Sequence, residues 1–133
     1  MARRDTDWFE TVRESVEASH KSAVEKIPLF FELLDRQFAH EDLQSPPAIA
    51  ALADMTYPAH KIPRSIRDVS AQIRDYLARC AAEAGLEDPS GLAEQLFLLV
   101  PGAIVVARTQ RTEQAANAAR AVAECLIAAA RRD

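Results

Sequence analysis

Few residues of this 133-residue chain could do chemistry: three histidines, two cysteines and scattered serines. His20, His40 and His60 stand twenty positions apart, so no two share a helical turn. A zinc or catalytic site needs ligands of the right type held close together, and this spacing does not supply them. All three read as surface residues. His40, beside Glu41 and Asp42, suits a solvated helix end, where a cation is favourable. Cys80 and Cys125 have no neighbouring cysteine and no redox motif, and read as buried, reduced structural thiols. Ser65, Ser70 and Ser90 lack the glycine-framed turn of a nucleophile elbow, and no glycine-rich phosphate loop occurs. The expectation is a protein that is not an enzyme and carries neither cofactor nor metal.

Binding is the other chemistry on offer. Gln72 and Tyr76 lie one helical turn apart and are the polar side chains best spaced to hold a ligand. Phe30, Phe31, Leu34 and Phe38, with Leu52, Met55 and Phe97, are of the type that lines an apolar pocket between helices. His60, in a loop bounded by Pro58 and Pro63, would sit beside that pocket. The same side chains equally make an ordinary core, and spacing alone leaves both readings open.

Composition names the elements that must position these residues. Alanine occurs 26 times and glycine three, which favours helices over a turn-rich β fold. No long stretch alternates apolar with polar residues, so the expected fold is all-α, a single domain over residues 1–133 with five to six helices. Sixteen Lys and Arg against twenty Asp and Glu leave a net charge of −4, a poor footprint for binding phosphates. No apolar run approaches the length of a membrane span, and Met1 to Asp5 has no apolar segment behind it. Reduced cysteines without a secretory signal imply a cytoplasmic location.

The first helix is expected to be capped by Asp5, Thr6 or Asp7, with Glu10 in capping-box position and Trp8, Phe9, Val12 and Val16 inward. His20 to Ser22 marks a break. Val24, Ile27, Phe30, Phe31, Leu34 and Phe38 then make a wide apolar face. Pro28 either opens a helix starting near Lys26 or kinks a longer one. Ser45 and Pro46 predict a short helix through Ile49, Leu52 and Met55. A long helix should run from Pro63 to Ala84, with Ile66, Val69, Ile73, Tyr76, Leu77 and Cys80 on one side, and end at Gly85. Asp88 and Pro89 start the next helix as cap and first residue.

Apolar residues from Leu92 to Ala107 cover nearly the whole helix circumference, so this helix must be covered all round. Thr112 should cap the last helix, whose small residues allow close approach. The expected product is an intermolecular four-helix bundle made by the last two helices of two chains. Its seam would use Leu96, Leu99, Ala103, Val106, Ala116, Ala119, Ala123 and Ile127.

The stretch Leu86 to Ala107, including Leu92-Ala93-Glu94-Gln95-Leu96-Phe97-Leu98-Leu99-Val100-Pro101-Gly102-Ala103, resembles the penultimate helix of TetR-family transcriptional regulators. Arg111 to Ile127 resembles their last helix, and Leu29 to Met55 is similar to the front of the same effector-binding domain. The resemblance spans roughly residues 21 to 131. It implies homodimerisation and sensing of a hydrophobic or aromatic small molecule. There are two departures. Pro101 stands where the family usually has an acidic residue before the glycine, and should bend the helix. The three-helix DNA-reading domain is also missing: residues 1–20 hold one helix with three arginines against five carboxylates, a net of −2. Operator binding by this chain alone is therefore not expected. Heterodimerisation with a full-length regulator, as a helical module without a ligand, is the alternative.

Overall fold

A computed structural model describes residues 2–39, 64–103 and 114–131. Among them are five named helices and no strands: α1 (Ala2–Ala18), α2 (Ala23–Ala39), α3 (Arg64–Glu83), α4 (Pro89–Phe97) and α5 (Gln114–Ala130). The chain is all-α. Expectations for His40, Ser45, Pro46, Ile49, Leu52, Met55, Pro58, His60, Pro63, Ile104, Val106, Ala107 and Thr112 lie outside the described residues, as do those for the side chains of Phe38, Ile66, Ala115 and Ala116.

One helix start differs from expectation, and a second is decided between two alternatives. α1 is already helical at Ala2, so Asp5, Thr6 and Asp7 fall inside it, and Glu10 meets Arg13 (2.7 Å) instead of closing a capping box. The residues N-terminal to Asp5 are compatible with helix, so a possible cap was not needed as a start. One half of such a box, the carboxylate that satisfies the N-cap N–H, belongs instead to α2. Glu25 Oε1 accepts from the Ser22 hydroxyl at 2.7 Å and from the Ser22 backbone N–H at 3.3 Å, which starts the helix at Ala23. Pro28 is therefore interior, beyond the first turn, where it cannot donate to the Val24 carbonyl.

The end of α3 and the start of α4 match the sequence. Gly85 (φ 73°) ends α3 in the left-handed region, with Leu86 N–H on Ala81 O and Gly85 N–H on Ala82 O, each at 3.0 Å. Asp88 caps α4: its Oδ1 accepts from Gly91 N–H at 3.2 Å, and Pro89 follows in the first turn. Gly91 has to be small, because a Cβ there would collide with the Asp88 carboxylate. α4 breaks at Leu98 and helix resumes over 99–103. Pro101 accounts for this break. It has no N–H for the Phe97 carbonyl, and its ring crowds that oxygen.

α2 is the centre of the packing, touching α1, α3 and α5, while α4 packs on α3 and α5. The core is continuous. Val12 and Val16 from α1, Ile27, Phe30, Phe31 and Leu34 from α2, and Val69, Ile73 and Leu77 from α3 form its larger half. Leu92, Leu96, Val100 and Ala103 join Ala119, Ala123 and Ile127 on the other side. Glu87 N–H donates to Ala130 O at 2.8 Å, pinning the α3–α4 turn to the end of α5. No described helix is long and apolar enough to cross a membrane.

Candidate functional site

The expected pocket side chains divide into three groups. Phe30, Phe31 and Leu34 are fully buried, and Tyr76 is buried beside them. The rings of Phe30 and Tyr76 pack on Phe9, which in turn meets Trp8 at 6.3 Å. Phe30 meets Phe31 edge-on at 5.4 Å between centroids, and Phe9 meets Tyr76 at 6.1 Å and Phe30 at 6.4 Å. These edge-to-face contacts are the favoured geometry for packed aromatic side chains. Gln72 and Phe97 are placed elsewhere. Gln72 is exposed, so it is not the polar partner of Tyr76 in an enclosed pocket. One turn of helix separates them, but the apolar face of α3 ends between them. Phe97 is half-buried at the α3–α4 seam, with the Arg74 guanidinium 5.4 Å from its ring centre. The third group, Phe38, Leu52 and Met55, falls on the undescribed side chains named above.

Tyr76 finds its polar partner on α1. Its hydroxyl donates to Glu17 Oε2 at 2.7 Å, while Lys26 Nζ lies 3.0 Å from Glu17 Oε1. One carboxylate thus ties α1 to α2 and to α3. Burial, and then the bond to Glu17, raise the Tyr76 phenol above its ordinary value. The Tyr76 hydroxyl, followed by Lys26, holds Glu17 below the usual carboxylate range. Fifty-nine residues separate Glu17 from Tyr76. No local spacing signals such a pair, and only the packing of α1 on α3 brings it together. Cys80, one turn on from Tyr76, is buried, and burial pushes its thiol up to about 11. A thiol so rarely ionised at neutral pH is a poor nucleophile.

Cys125 departs from expectation. It is exposed on α5, unlike Cys80, and both thiols are free. His20 is exposed at the end of α1, in the left-handed region (φ 57°). Among the described residues, no group of three or more His, Cys, Asp and Glu side chains is placed to hold a metal ion.

The expected dimer seam needs the larger correction. Leu96 and Ala123 are fully buried within the single chain, and Ala103, Ala119 and Ile127 are at most 7% exposed. They belong to the core of the single chain, so they are not free to meet a second chain. Leu99 is half-buried. The surface of the closing helices carries other residues. Leu98 is 73% exposed and Val122 44%, and they are the large exposed hydrophobics among the described residues. On α5, Ala118, Ala121, Val122, Cys125, Ala128 and Ala129 are all exposed, recurring every three or four residues along the helix. The outer side of α5 thus also has a small-residue apolar stripe, without the Leu126 and Ile127 of the inner one.

A half-open groove of about 220 Å³ runs between α2 and α5, lined by Lys21, Glu25, Pro28, Leu29, Glu32, Arg120 and Glu124. Arg120 spans it, 3.8 Å from Glu32 and 3.4 Å from Glu124. These pairs are solvent-exposed and individually weak. Comparisons of the chain with protein-family models, with curated proteins and with solved structures return no match.

Proposed function

We propose that the chain is a dimerising, small-molecule-sensing helical domain of the kind found in the C-terminal part of TetR-family regulators, without operator binding of its own. The observation that carries the reading is the outer face of α5. Ala118, Ala121, Val122, Cys125, Ala128 and Ala129 leave a shallow apolar stripe in solvent, beside a second closing helix that exposes Leu98. Small side chains let two helices approach closely, and an isologous contact needs only one such patch per subunit. The seam in this reading lies on the face opposite the buried Ala119, Ala123 and Ile127.

Sedimentation across a concentration series tests the dimer, and oxidative crosslinking through the native Cys125 maps it. The expected result is a dimer whose Val122→Glu variant sediments as a folded monomer. A parent chain that stays monomeric at every concentration overturns the dimer. Sensing is supported by the resemblance of Leu29 to Met55 to the front of that effector-binding domain. A thermal-shift screen with hydrophobic and aromatic compounds tests it, because a ligand that binds only the folded state raises the melting temperature. Operator DNA should not be retained by the chain alone in a gel shift.

One observation favours a second reading, a helical interaction module without a ligand. Phe30, Phe31 and Leu34 are already fully covered by protein atoms, so a ligand there would have to displace packed rings. Heterodimerisation with a full-length regulator would then be the function. Absence of stabilisation by every compound, with the dimer intact, selects this reading.

A further inference from the structure

We draw no further inference here: the strongest candidate, the half-open groove between α2 and α5 lined by Glu25, Glu32 and Glu124 with Lys21 and Arg120, is a set of solvent-exposed charges satisfied by one another or by their own helix, and nothing in the structure points to an occupant.

Discussion

α2 and α5 are both seventeen residues long and pack against each other, yet they bury different material. α2 puts Ile27, Phe30, Phe31 and Leu34 inside and shows Glu25 and Arg36 to solvent. α5 puts Ala119, Ala123 and Ile127 inside and shows more alanines. Large side chains on α2 leave one possible orientation, because rotating the helix would expose several rings at a cost of about 2 kcal/mol each. Rotating α5 exchanges alanine for alanine at most positions, and only Leu126 and Ile127 resist it. A helix made mostly of alanine therefore specifies close approach while leaving few residues, chiefly Leu126 and Ile127, to specify which side approaches what.

Substitutions on α5 test this contrast most directly. Ala123→Glu puts a carboxylate into a fully buried site and should destabilise the fold by on the order of 5 kcal/mol, enough to unfold the chain by circular dichroism. Val122→Glu, one residue away and 44% exposed, should change monomer stability by no more than about 0.5 kcal/mol while abolishing self-association. If the two variants melt alike, the assignment of inner and outer faces is wrong. On α2, Phe30→Ala should cost about 3–5 kcal/mol in urea denaturation, through lost burial and the cavity left behind.

Smaller effects sharpen the picture at the joints. Gly85→Ala places a Cβ on a backbone with φ 73° and should cost about 1–2 kcal/mol, read as a lower melting temperature with an unchanged spectrum. Tyr76→Phe removes the bond to Glu17 and should cost about 1 kcal/mol. The smallest effect is the pH dependence of that bond. Glu17 is held below its usual range in the fold, so its contribution is present above the unfolded value near 4.5 and is lost as pH falls through the folded value. Its side chain is 42% exposed, and solvent screening keeps the effect modest. Glu17→Gln should therefore narrow the difference in stability between neutral and strongly acidic solution, as measured by parallel denaturation curves.

The same contrast explains what could be read from the chain before its structure. The α3 boundary at Gly85 and the Asp88 cap are set by single residues with strong backbone preferences and are legible, whereas Pro101 signals a bend where the structure has a break at Leu98. The inward face of α2 was legible because its rings are too large to be anywhere else. Pro28 leaves two starts for α2 open in the sequence, and the bond between Ser22 and Glu25 decides for the longer helix. The face of α5 was not legible: Ala116, Ala119, Ala123 and Ile127 form as good a stripe as Ala118, Ala121, Val122 and Cys125. Arg120 and Glu124 mark its polar side but sit between the two stripes and favour neither. The Tyr76–Glu17 contact was beyond reach because it depends on how α1 settles on α3.

The unlike settings of the two cysteines give the molecule a built-in gauge of its own breathing. A thiol reagent added to the native chain should modify Cys125 promptly and reach Cys80 only during excursions that part the helices around it. The second labelling rate then follows how often the interior opens, without any engineered probe. A compound that settles among the aromatic rings would slow that second rate, whereas one that only bridges two subunits would chiefly retard the first.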